Sequence, residues 1–150
     1  MYDLASVFAL PALRSLHVWD VVETRQHTEL PDWAFIPSSN RISTLELTSA
    51  SLSIGTLRRM ILSCTQLEIF TYNCPMPRPD FNSLVEVLSI SYETLKKLTL
   101  LDQNAWSDGI LPMRSLTRLT SLEHFSGDAA VLIGELDGTG IFDMLLQSLC

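Results

Sequence analysis

Three cysteines in 150 residues, with no C-x-x-C pair among them, leave no framework for a disulfide-stapled fold. An odd, sparse set of this kind fits a reducing compartment and predicts an intracellular protein, cytoplasmic or nuclear. Basic residues are scarce too: 10 Lys and Arg stand against 17 Asp and Glu, for a net charge of −7. Nucleic acid and anionic membrane surfaces are bound through cations that neutralise phosphate, so neither is an expected partner. No apolar run approaches the ~20 residues of a spanning helix. The first residues carry Asp3 and no basic stretch, unlike a signal peptide.

Signatures of catalysis are missing as well. The chain has no G-x-S-x-G, no phosphate-binding loop and no dinucleotide fingerprint. His17, His27 and His124 lie too far apart in the chain for a local metal motif, and no metal or other cofactor is expected. The D-G-T-G at 137–140 lacks the order and the second copy of an aspartic protease motif and reads as a flexible link. Asp102, Asp108 and Asp137 fall in loops without a partner that would tune them. Cys64 fits a small core residue, whereas Cys74, in a proline-rich bend, could be exposed. A small hydrolase using Cys74, or a serine with His124, is the enzymatic alternative; nothing in the sequence supplies Cys74 with a base. The chain is therefore expected not to be an enzyme.

What is present is a repeat. Short phrases start at Leu13 (LRSLHV), Ile42 (ISTLEL), Leu67 (LEIFTY), Leu95 (LKKLTL) and Leu122 (LEHFSG), spaced 29, 25, 28 and 27 residues apart. The first four hold apolar residues at the first, fourth and sixth places; the fifth has Gly127 at the sixth. This period matches leucine-rich repeats, in which each unit buries its core only by stacking on its neighbours. The expected class is α/β: a solenoid of about five parallel strands on a concave side with irregular helices on the convex side.

Helical periodicity fills the intervals. Segment 54–64 places Leu57, Ile61 and Cys64 on one face, with Arg58 and Arg59 turned away and Ser53 as N-cap. Segment 81–90 does the same with Leu84, Val87 and Leu88 behind an Asp80 cap. A shorter helix is expected over 113–119, behind Pro112, with Leu116 and Leu119 inward. By contrast 24–40, with Pro31 and Pro37, reads as a loop or one irregular turn. Three prolines make 73–80 a rigid link, and 134–140 a flexible one before a last apolar segment, 141–149. Residues 1–150 thus form one repeat domain. A mean hydropathy of +0.23 and apolar ends suit a fragment of a longer solenoid or one that associates end to end; end helices folded over the core are the alternative.

Strand alternation turns the residues between the core positions onto the other face. These are Ser15, His17 and Trp19; Thr44, Glu46 and Thr48; Ile69, Thr71 and Asn73; Lys97, Thr99 and Leu101; and His124, Ser126 and Asp128. This mixed strip suits docking of a protein surface, with Trp19 as the anchor because tryptophan is enriched at binding hot spots. A merely solvated sheet face is the alternative for any one residue. Trp33 and Trp106, in loops, either extend the strip or cover the core.

With these elements placed, the chain resembles the leucine-rich repeat region of fungal F-box proteins. The residues that carry the resemblance are LPALRSLHVWD, SNRISTLELTSASL, CTQLEIFTYNCP, YETLKKLTL and LTSLEHFSGDAAVLIGELDG. It implies a substrate-recognition module of a ubiquitin-ligase receptor, whose F-box recruits the ligase adaptor. Only 12 residues precede Leu13, so no F-box is expected within the chain. The sequence departs from the repeat pattern at the ninth place, where Asn or Cys often bonds the loop backbone. That place holds Val21, Ala50, Pro75, Gln103 and Ala130, so the loops must satisfy their backbone by other means and the stack should be irregular and weakly curved. A free-standing repeat scaffold that self-associates is the non-ligase alternative.

Overall fold

The structure, a computed structural model, describes residues 7–8, 10–23, 40–74, 80–102 and 115–128. Each leucine phrase yields one strand: β1 (Ser15–Trp19), β2 (Thr44–Thr48), β3 (Ile69–Cys74), β4 (Lys97–Asp102) and β5 (His124–Gly127). The strands pair in parallel and in chain order. The two described helices, Ile54–Ser63 and Phe81–Leu88, pack against one face of this sheet. The result is an open α/β sheet, covered on one side.

The covered side is built from two straight rows that follow the register. One is Leu16, Leu45, Phe70, Leu98 and Phe125; the other is Val18, Leu47, Tyr72, Leu100 and Gly127. Central members of both rows are fully buried. Burial falls off outward, since Leu16 and Phe125 are only partly covered. The phrase-opening residues follow the same gradient: Ile42, Leu67 and Leu95 are fully buried, Leu13 and Leu122 half-buried. Gly127 is small for a packing reason. A Cβ there would come within 2.8 Å of the Phe125 ring and 3.3 Å of the Leu100 carbonyl oxygen. The Phe125 ring fills the space that the sixth-place side chain occupies in the other units.

Two helices cover these rows. In α1 (Ile54–Ser63), Ser53 accepts the Thr56 amide as N-cap, and Leu57, Met60 and Ile61 enter the core beside Cys64. In α2 (Phe81–Leu88), Asp80 accepts the amides of Asn82 and Ser83, and Leu84, Val85, Val87 and Leu88 face inward. Both caps fall where the sequence places them. The second helix stops two residues short of expectation. Ser89 donates back to the Glu86 carbonyl at 2.6 Å, and a 3-10 turn, Ser89–Ser91, follows and leaves Ile90 exposed.

The expected third helix is corrected. Residues 115–123 form turns, with Leu119 donating to Leu116 and Leu122 to Leu119. The Ser115 hydroxyl captures the Thr117 amide and so competes with a helical start. Leu119 is nevertheless buried and Leu116 packs on the core, so the inward residues keep their role without a helix. The 73–80 link is also shorter than expected. Asn73 and Cys74 belong to β3, and Cys74 pairs with Asp102 across the sheet. Expectations for 24–39, 75–79, 103–114 and 129–150 fall outside the described residues, among them those for Trp33, Trp106 and Gln103.

The loops satisfy their backbone without a ninth-place asparagine. Tyr72 donates its hydroxyl to the carbonyl of Ala50 at 2.9 Å. Val22 and Ser51 form an isolated parallel bridge between successive loops, in which Ser51 donates to Val21 and Glu23 to Ser51. The Glu23 carboxylate then accepts the Ser53 amide at 2.6 Å and the hydroxyls of Ser53 and Thr56. On the other side of the strands, buried Asn40 donates to the Ser63 hydroxyl and accepts the Ile42 amide, while its carbonyl takes the Thr65 hydroxyl. Asn40 is therefore a structural bracket and not the polar tail of a loop.

Candidate functional site

The face of the sheet opposite the two helices carries fourteen of the fifteen strip residues in register. Across the strands they form three rows. The first runs Ser15, Thr44, Ile69, Lys97, His124; the second His17, Glu46, Thr71, Thr99, Ser126. The third runs Trp19, Thr48, Asn73 and Leu101, and Asp128 continues it one residue beyond β5, where its amide donates to Leu100. Sequence alternation thus placed those fourteen on a common face. Strands spaced about 4.8 Å apart and a rise of ~3.3 Å per residue make the patch roughly 19 Å by 13 Å. That is part of a standard interface of ~800 Å² per partner.

Exposure differs along the rows. Side chains of β2 and β3 are half-buried, each flanked by two strands, while Ser15, His17 and Trp19 on β1 are open. Trp19 is 78% exposed, the most of any large apolar side chain among the described residues. Beside it, His17 Nδ1 donates to Glu46 Oε2 at 2.7 Å, a contact its register position allows because His17 and Glu46 are direct cross-strand partners. Asn73, in the middle of the third row, has a buried amide oxygen with no hydrogen-bond partner among the described residues.

Charge is divided across the patch. Lys97 and His124 are direct partners at the β4–β5 end of the first row. The β1–β2 end holds Glu46, and exposed Asp20 lies in the turn directly after Trp19. Asp20 is a residue that the sequence reading passed over. It sits at the eighth place of its phrase with φ 53°, and Ser49 takes φ 52° at the same place of the next. That shared place was the available signal.

The groups weighed for catalysis are arranged differently from the sequence expectation. Cys74 is not exposed: it is fully buried at the end of β3, with its Sγ 3.8 Å from the Leu101 carbonyl. The strand pairing of Cys74 with Asp102 carries it under the sheet, where a bend would have left it open. Cys64 donates to the Met60 carbonyl at 3.2 Å, and burial pushes its thiol up to about 12. Neither cysteine is in a disulfide. His17 and His124 lie on strands separated by three others. Among the described residues, no serine or cysteine hydrogen-bonds to the His124 ring, and no group of three or more His, Cys, Asp or Glu side chains could hold a metal ion. No helix among those residues is long and apolar enough to cross a membrane.

No protein-family model matches the chain, and neither the curated proteins nor the solved structures give a match. What the open face does must be read from its own side chains.

Proposed function

We propose that the chain is a non-catalytic protein-interaction module, a leucine-rich repeat solenoid that docks a partner protein on the open face of its sheet. One observation carries this reading: fourteen side chains stand in three registered rows on the sheet face opposite the helices, headed by an exposed tryptophan. Ile69 and Leu101 add apolar surface to that face, and aromatic and apolar anchors set in polar surroundings are what interfaces are enriched in. The resemblance to fungal F-box repeats makes a ubiquitin-ligase substrate the class of partner. The ligase adaptor would then be held by an F-box outside this sequence. Buried cysteines outside any disulfide fit an intracellular setting.

The test is a paired substitution, Trp19→Ala with Lys97→Ala, at opposite ends of the face. Partner capture should fall at least tenfold with the melting temperature unchanged, since both side chains are exposed. Unchanged capture would move the site off this face. A second reading, self-association along the β1 side, is favoured by Leu10 and Val22, which flank β1 and are 52% and 60% exposed. It predicts dimers that form with rising concentration and are lost in Leu10→Ser with Val22→Ser.

A further inference from the structure

We infer that the β1–β2 corner of the open face is an arginine-accepting site, formed by Trp19, His17 and Glu46, for a guanidinium borne by the partner protein. The inference rests on the docking reading above and names the chemistry of what docks.

Three observations converge on one small area. Trp19 presents an exposed indole on the same face as Glu46, one strand across and two residues along, so about 8 Å away. A cation held within about 6 Å of an indole centroid gains from its quadrupole, and that span leaves room for one between ring and carboxylate. Glu46 is already oriented: Oε2 takes the His17 proton at 2.7 Å, and Oε1 accepts nothing among the described residues.

The surrounding charge has the matching sign. Asp20 follows Trp19 and is exposed, and the chain as a whole carries −7. No lysine or arginine occupies an open-face position on β1, β2 or β3; Lys97 lies on β4, two strands beyond Glu46. A carboxylate with one oxygen open beside an exposed indole, on a face where β1, β2 and β3 carry no lysine or arginine, is complementary to a planar cation that donates hydrogen bonds. Arginine meets all of these demands together. Its fork of N–H donors reaches Oε1 while its plane stacks on the indole, which a compact, strongly hydrated ammonium does less well.

The experiment is a titration of the full chain, followed by the Trp19 indole N–H resonance. The probes are three capped tripeptides, Gly-Xaa-Gly, with arginine, citrulline or glutamate in the middle. The arginine peptide should shift the indole and His17 signals at millimolar concentration. Citrulline keeps the shape and loses the charge, and should bind at least about fivefold more weakly. Glu46→Gln and Trp19→Leu should each weaken the arginine peptide by a similar factor. Equal shifts from arginine and citrulline, or a response to arginine that survives both substitutions, would overturn the inference. So would a shift of the Trp19 signal on concentrating the free chain, which would assign the corner to a second copy. The two readings fail separately. Capture that depends on Lys97 but not on Trp19 or Glu46 would sink this site and leave the docking face standing. Arginine binding with no loss of capture in the paired substitution would do the reverse.

Discussion

The hydroxyl of Tyr72 donates to the carbonyl of Ala50 at 2.9 Å, joining the third strand to the loop that follows the second. Tyr72 is fully buried and its ring stacks on Phe70 at 6.3 Å between centroids. Burial pushes its phenol well up, with Cys74 and Glu23 adding to the effect, so the group stays a neutral donor. It thereby satisfies a carbonyl of the loop that follows β2.

Tyr72→Phe keeps the ring and removes the donor, leaving the Ala50 carbonyl buried and unpaired. The expected loss is about 1–3 kcal/mol, read from the urea midpoint with an unchanged slope. A loss below a few tenths would mean that the Ala50 carbonyl has another partner.

Asn73 stands beside it in sequence but on the other face, and its amide oxygen is buried without a partner among the described residues. Replacing a polar group that makes no bond by an apolar one of similar size removes a desolvation cost of ~1–3 kcal/mol. Asn73→Leu should therefore raise the melting temperature by a few degrees. If stability falls instead, the amide is bonded in solution.

At Gly127 the Phe125 ring leaves no room for a methyl group. Gly127→Ala should cost about 1–3 kcal/mol through overpacking. Adding Phe125→Leu to the Gly127→Ala variant should return part of that loss, which a purely conformational effect of the glycine would not allow. Denaturation of the two single variants and the double variant completes the cycle.

Asp80 is the cap of α2, and the Ser83 hydroxyl, followed by the Asn82 and Ser83 amides, holds its carboxyl below the ordinary value of 3.8. A lowered folded value means stability that is fully present above the unfolded one and lost as pH falls through the folded one. Asp80→Ala should cost ~1 kcal/mol at pH 7, the usual worth of an N-cap. The gap between variant and parent should narrow steadily below about pH 4, where the unfolded carboxylate begins to protonate. A gap that stays constant far into acid would show that the ionised carboxylate is not what caps the helix.

The strands were legible because their pattern has period two and its anchors are leucines. Alternation alone sorted Leu45 from Glu46 and Phe70 from Thr71. The caps were legible because Ser53 and Asp80 stand directly before apolar helical faces. The 115–123 segment misled because Leu116 and Leu119 have helical spacing, while the competing Ser115–Thr117 bond is local and leaves the apolar pattern intact. Cys74 misled because the prolines after it suggested a bend, whereas pairing with β4 extends the strand through it. On the candidate site, membership of the face was readable and relations within it were not. The shared fifth place of their phrases puts His17 and Glu46 in register 29 residues apart, but whether the two side chains meet depends on rotamers that the pattern does not specify.

Glu23 belongs to the first unit, yet three of its hydrogen bonds end on the start of a helix in the second. The amide of Ser53, and the hydroxyls that arm its turn, are thus completed only when the preceding loop has arrived. The cap of α1 is therefore shared: Ser53 takes the Thr56 amide itself, and Glu23 completes it from the preceding loop. A chain emerging from synthesis presents Glu23 some thirty residues before the helix that it helps to cap.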